Sequence, residues 1–382
     1  MPAPLKHSDF PTSLVLQGGG ARGAYQVGVL RALAELAPQS ANPFPIISGT
    51  SVGAINAACL AANAENYSTA TDKLETLWRS LTTGSIFDPR WRSVRATIWR
   101  IIRTFVFRGS TNRYGWLDNR PLRRLLEREF DRDGMQRAME SGALTGFCIT
   151  TSCYGCGIAV THYESTTGVE EWMRHRREGL NEPVTVDHLM ASSALPLIFP
   201  AVKVGPTWHG DGALRLTAPL SPVIRMGARR IVVVGVRDAH VDMSQADIEQ
   251  PYPSIGEMGG TMLDILFNDN LEADVERVNR VNRLLATLTP EQREKEHLQR
   301  IDVLSLQPSK DLRTIASRHE HEMPRAIRTL MRISGASGSD GRLPSYLLFE
   351  PGYIAELIDL GYADTMARRE EVAAFLAGTT SR

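Results

Sequence analysis

Four stretches of the chain are apolar at consecutive positions: Ser13–Gln17 (SLVLQ), Pro45–Ser48, Arg230–Val236 (RIVVVGV) and Ile301–Leu306 (IDVLSL). Unbroken apolar runs of this length mark strands buried on both faces, as in a parallel sheet. After the first run the spacing turns helical, with Val27, Leu30, Ala34 and Ala37 on one side. After the second, a helix of small residues starts at about Val52 and carries Ala54, Ala57 and Ala58. Asn66–Leu81 reads as a helix and Thr82–Pro89 as a loop. Asp118 or Asn119 caps a further helix with Pro121 in its first turn. Thr145–Thr151 and Gly157–Tyr163 alternate apolar and polar residues, which predicts two paired strands around a CYGCG turn. Val184–Ala191 starts another helix, and Ala191–Val202 (ASSALPLIFPAV) reads as a shaped wall rather than a plain element. Gly256–Leu288, Asp311–Ile333 and Tyr353–Leu376 are expected to be helical, and Gly335–Leu343 a flexible linker. The pattern predicts an α/β fold, a mainly parallel central sheet flanked by helices, with a helical C-terminal extension.

Composition narrows the classes. The 382 residues hold 43 Lys+Arg against 43 Asp+Glu, so no overall field draws the chain to nucleic acid. Four cysteines do not make a disulfide framework. Cys153 and Cys156 form a lone CxxC near Cys148 and His162, read as a hairpin turn with small buried thiols rather than a zinc or redox site. No run is long and apolar enough to span a membrane, and the first residues lack a signal-peptide layout, so the expectation is a cytoplasmic protein. One segment qualifies this. Arg90–Arg108 is basic, aromatic and free of acidic residues, with Trp91, Val94, Ile98, Ile101, Ile102 and Phe105 on one helical side. It fits either a cap helix with a solvated arginine face or a peripheral contact with a lipid surface.

Two turns carry the chemistry. Gly49-Thr50-Ser51-Val52-Gly53 is Gly-x-Ser-x-Gly between an apolar strand and a helix, the context of a nucleophile elbow. Gly18-Gly19-Gly20-Ala21-Arg22-Gly23 lies between the first strand and its helix. Such a loop turns backbone N–H groups toward an anion. A dinucleotide site needs an acid near the end of the second strand, which here ends in Ser-Gly, and a phosphate loop needs Gly-Lys-Ser/Thr. An oxyanion hole beside Ser51 accounts for both turns together. Downstream, Asp211 stands between Gly210 and Gly212, a common turn pattern with little meaning alone.

The order GGGARG, GTSVG, ASSALPLIFP and DGA resembles the patatin-like phospholipase family over roughly residues 11–306. The resemblance implies a Ser–Asp dyad with Ser51 as nucleophile and Asp211 as base. It implies an oxyanion loop at Gly18, Gly19, Gly20, Ala21, Arg22 and Gly23, and an elbow flanked by Gly49 and Gly53. It divides the chain into an acyl hydrolase domain, 1–306, and a helical C-terminal region, 307–382. An isolated aspartate is a weak base, so Asp211 is expected to be desolvated beside the Leu195, Pro196 and Phe199 wall. A Ser-His-Asp triad through His188, His209 or His240 is the competing arrangement, disfavoured because only two strands precede Ser51. The expected substrate is a phospholipid or other acyl ester, with no cofactor, no metal and no nucleic acid. Thioester or storage-polyester hydrolysis with the same dyad, or a non-catalytic lipid-surface role, are the alternatives.

Overall fold

The computed structural model describes residues 11–37, 42–90, 117–237, 252–295, 299–333, 335–336 and 341–379. The Arg90–Arg108 segment beyond its first residue, His240 and positions 337–340 of the expected linker lie outside these residues. Among the described residues no helix is long and apolar enough to cross a membrane.

Ten strands form one sheet: β1 (Thr12–Leu16), β2 (Ile46–Thr50), β3 (Gly146–Cys153), β4 (Ile158–Ser165), β5 (Trp172–Arg174), β6 (Arg177–Asn181), β7 (Val202–Val204), β8 (Thr207–Asp211), β9 (Arg230–Val234) and β10 (Asp302–Leu306). Their order is β10-β9-β1-β2-β3-β4-β6-β5, and β8 pairs with the end of β3 and with β7. From β10 to β3 every pairing is parallel. β4 and β8 are antiparallel to β3. The sheet is mainly parallel and flanked by helices, as the apolar runs predict.

The apolar runs have two-sided burial as their cause. Leu14 and Leu16 of β1 face the large core cluster with Val232 and Val234 of β9, while Val15, Ile231 and Val233 face the smaller cluster on the other side. Three helices follow the first strands: α1 (Gly23–Leu36), α2 (Val52–Ala62) and α3 (Tyr67–Ser80). The helix Pro351–Ala367 packs across α1. Gly28 permits the crossing, since a Cβ there would stand 1.8 Å from the Ile358 carbonyl oxygen. Tyr25, Leu30, Leu33, Ile354, Leu357 and Ile358 are fully buried around it. Each such apolar side chain is worth about 1.5–3 kcal/mol on burial.

Several local expectations change. Thr82–Pro89 contains a short helix, Thr83–Ile86. The helix after Ser254 is broken by a wide turn at Ile265–Asp269. Pro324 separates Leu312–His319 from Arg325–Ile333, because proline cannot continue the ladder. Residues 341–343 of the expected linker begin a helix, Arg342–Leu347. The short strands β5 to β8 were not expected. The CYGCG turn sits where the alternation put it, but Cys153 and Cys156 are joined in a disulfide rather than held as two thiols. The tight turn brings their Cα atoms to 5.4 Å, within the range a disulfide spans.

Candidate active site

The loops after β1 and β2 leave the same end of two adjacent parallel strands, so the glycine loop and the elbow lie side by side. Ser51 takes φ 55° and ψ −128°, a conformation rare for a residue with a side chain. Such backbone strain costs roughly 1–3 kcal/mol and persists only where the surroundings enforce it. Here the Ser51 N–H donates to Ser192 Oγ at 3.0 Å, and Ser192 Oγ donates to the Thr150 carbonyl at 2.7 Å. Gly53 makes room for the elbow: a Cβ there would lie 2.3 Å from the Leu16 carbonyl oxygen. Ser51 thus caps α2, whose N-terminus carries partial positive charge.

Asp211 ends β8 opposite Thr151 of β3 and is 1% exposed. Its N–H donates to the Ala194 carbonyl at 2.9 Å, and Oδ1 accepts from the Ala213 N–H at 2.9 Å. Oδ2 is buried with no hydrogen-bond partner among the described residues. Burial raises the carboxyl pKa to about 7, against the opposing pull of the Ser51 hydroxyl and the Ala213 amide. The hydroxyl is therefore near enough to favour the ionised carboxylate, yet outside hydrogen-bond geometry with Oδ2.

Gly18 lies against Ser51, and a Cβ on it would meet Ser51 Cβ at 3.0 Å. Gly20 adopts φ 56°, which glycine accepts at no steric cost. The N–H groups of Gly18, Gly19 and Gly20 have no acceptor among the described residues, whereas Arg22 N–H donates to the Gly19 carbonyl. The chain then enters α1 through the short turn Gly20–Arg22 and Gly23. The Arg22 guanidinium is buried and turned to other groups. Nε donates to Ser345 Oγ at 2.9 Å, Nη1 meets Asp264 Oδ1 at 3.1 Å, and the plane lies 3.9 Å from the Tyr346 ring centre.

An apolar cavity of about 50 Å³ adjoins Ser51. Leu195 and Phe199 line it, as do Trp78, Tyr346, Leu347 and Phe349; Pro196 does not. Pockets for whole ligands run to about 300–1,000 Å³, so a long acyl chain needs this one to widen.

The family model of the patatin-like phospholipases matches residues 14–224, more than half of the chain. The chain belongs to the patatin-like phospholipase family. Patatin-like phospholipase domain-containing protein 7 of Mus musculus is 48% identical over 68 residues, covering 15% of this chain and 5% of that protein. Lysophospholipase nte1 of Aspergillus terreus is 54% identical over 52 residues, covering 14% of this chain and 3% of that one. The matched stretches are thus a small part of these much longer relatives. Among solved structures, VipD from Legionella pneumophila is similar at 12% identity, covering 95% of this chain and 67% of that one, with a TM-score of 0.38.

In this patatin-like chain no described histidine completes a triad. His209 Nδ1 meets Thr151 Oγ1 at 2.8 Å and Nε2 meets Thr207 Oγ1 at 2.8 Å. His188 Nδ1 accepts from the Thr185 N–H at 3.0 Å, which leaves its proton on Nε2, facing Glu182 at 3.5 Å. His162 bridges the Glu182 carboxylate (2.7 Å) and Thr151 (2.9 Å). One atom each from His162, Glu182 and His188 lie within 4.8 Å of one another. The tautomer that Thr185 imposes on His188 makes this a hydrogen-bonded cluster rather than a set of free metal-ligand lone pairs.

Sequence reasoning missed the supports. Gln26 Nε2 donates to the Gln17 carbonyl at 2.7 Å, Asn56 Nδ2 to Gln26 Oε1 at 2.9 Å, and Trp78 Nε1 to Asn56 Oδ1 at 2.8 Å. This buried chain ties α1, α2 and α3 to the strand end that feeds the glycine loop. A polar Gln and Asn on otherwise apolar helix faces were its only signal.

Proposed function

We propose that this chain is a serine acyl hydrolase of lipid esters, with Ser51 as nucleophile and Asp211 as its base. The observation that carries this is the buried Asp211 carboxylate, with Oδ2 unpartnered and its pKa raised to about 7, beside a serine held at φ 55°. A base works best when its pKa lies near the operating pH. Ser51 Oγ attacks the ester carbonyl carbon while Asp211 takes the hydroxyl proton. The oxyanion that forms faces the free amides of Gly18 to Gly20 and the N-terminus of α2. Collapse breaks the ester C–O bond, and the leaving alkoxide takes the proton from Asp211. Water, deprotonated by the same carboxylate, attacks the acyl-enzyme, and the proton passes back to Ser51 as the fatty acid leaves. Arg22 is left out of this scheme because its guanidinium is held elsewhere; it braces the loop instead. Residues 1–306 supply the reacting groups, and residues 307–382 supply one wall of the acyl cavity.

The test is labelling by a fluorophosphonate and turnover of a short p-nitrophenyl ester, with and without phospholipid vesicles. Wild type should label and turn over, and Ser51→Ala should do neither while remaining folded. A folded wild type that neither labels nor turns over under either condition sinks the proposal, as does labelling that survives in Ser51→Ala.

A further inference from the structure

The finishing ends of β1 and β2 carry the site above; the starting ends of β9 and β10 border a second concavity. It is a cleft of about 620 Å³. At roughly 3.3 Å per residue, the five residues of β9 separate the two ends by about 16 Å. Arg174 and Arg177 reach the cleft from the β5–β6 hairpin, Arg225 and Arg229 from the chain entering β9, and Arg277 from the helix Asn270–Ala286.

Among the described residues the one acid on its wall is Asp274, and that carboxylate is occupied. Oδ2 accepts from the Leu220 N–H at 3.0 Å and Oδ1 from Arg277 at 2.7 Å. Arg174, Arg177 and Arg225 make no direct ion pair among the described residues, although the Arg177 charge is near enough to Asp274 to favour its ionised form after Arg277 does. Arg225 is half-buried, and its pKa is lowered first by that burial and then by the nearby charges of Arg174 and Arg177. It is also held in place. Its guanidinium lies 5.1 Å from the centre of the Trp172 ring, which is itself stacked on Tyr163 at 4.9 Å. Crowding like charges in a half-buried cleft costs free energy unless a counter-charge offsets it. Planar guanidinium groups on a fixed aromatic support suit the paired oxygens of a phosphate.

We propose that this cleft is a binding site for a phosphate-bearing anion, with Arg177 and Arg225 as its principal contacts. It is separate from the chemistry at Ser51 and does not rest on it. The same chemistry recognises a free phosphorylated small molecule or the headgroup of an anionic lipid, and the two sources are distinguishable.

The experiment is calorimetric titration of the full chain with inorganic pyrophosphate, beside co-sedimentation with vesicles containing phosphatidic acid in a neutral carrier. The proteins are wild type, the double variant R177Q/R225Q, the single variant Arg225→Lys and the control Arg280→Gln on the same helix but off the cleft. Pyrophosphate should bind wild type and Arg280→Gln alike. The double variant should bind about a hundredfold more weakly, since each charge-assisted contact is worth about tenfold or more. Arg225→Lys keeps the charge and guards against a folding defect in the double variant; it should retain binding in part. Pyrophosphate binding identifies a free ligand, and vesicle binding alone, lost in the double variant, identifies a headgroup. Absence of both in wild type overturns the site, as does equal binding by wild type and a folded double variant.

Discussion

Asp211 and Glu182 are two carboxylates set against opposite strands of the β3–β4 pair, Asp211 against β3 and Glu182 against β4, and they have opposite fates. Asp211 is sealed beside β3 with one oxygen unpartnered, and its pKa rises to about 7. Glu182 is part-exposed, and the hydrogen bond from His162 is the largest reason its pKa falls below the ordinary value. His162 in turn reaches Thr151, the residue opposite Asp211 in the register. His188 and His209 are pushed down to about 4, chiefly by burial, so both are neutral at physiological pH. The two regions differ in exposure and in the histidine partner that Glu182 has and Asp211 lacks. A carboxylate that is hydrogen-bonded and open to water acts as a brace; one with an oxygen left bare in a dry site is suited to act as a base.

The sharpest way to break that contrast is to neutralise each acid in turn. Asp211→Asn should lower kcat by about 10⁴-fold or more, as removal of one member of a catalytic unit does. Glu182→Gln should leave kcat within about fivefold and cost about 1 kcal/mol of stability through the weakened bond to His162. Comparable losses of kcat in both variants, measured on the same ester, would end the distinction.

Next in size is a stability effect of opposite sign. The folded chain holds the Asp211 proton up to about pH 7, and the unfolded chain releases it near 3.8. Between those values the folded state binds more protons, so its stability falls as pH rises, and the loss is complete above about 7. Three units at about 1.4 kcal/mol each set the scale at roughly 4 kcal/mol. Asp211→Asn should therefore be more stable than wild type at pH 8 and no more stable at pH 4, by urea unfolding at both pH values. For Glu182 the sign reverses: its lowered pKa contributes stability above the unfolded value, lost as pH falls through the folded one.

The smallest effect is kinetic. In wild type, kcat/KM should climb through about pH 7 and level off above it, as the base form of Asp211 fills. His162→Phe should leave the midpoint within about half a unit, since a satisfied brace does not set the base's charge. A midpoint that moves by a full unit in His162→Phe would mean that the two regions titrate together.

Much of this layout was legible because it depends on near neighbours in sequence. The runs LVL, PII and IVVV announce strands buried on both faces, and a glycine turn after each of the first two announces paired loops. β5 to β8 escaped notice because WMR, REGLN, VKV and TWHGD are short and part-exposed, so no period stands out. Asp211 was visible as Asp-Gly but not as the end of a strand. Arg22 was assigned to the anion loop on position, yet it pairs with Asp264 and Ser345, which lie 242 and 323 residues away. Ser192 looked like one of two serines in a wall; its part in holding the Ser51 amide depends on where Thr150 of β3 presents its carbonyl. Contacts across such distances leave no periodic trace.

The cavity beside Ser51 is built from two segments far apart in the chain. One edge comes from residues 14–224, the stretch that the family model matches. Its far wall comes from Tyr346, Leu347 and Phe349, well beyond that stretch. Tyr346 also lies under the Arg22 guanidinium and its carbonyl oxygen stands against Gly20, so a substitution there reshapes the cavity and unsettles the first glycine turn together. The space beside Ser51 is in this way a joint between two distant segments, and neither can be redrawn without the other feeling it.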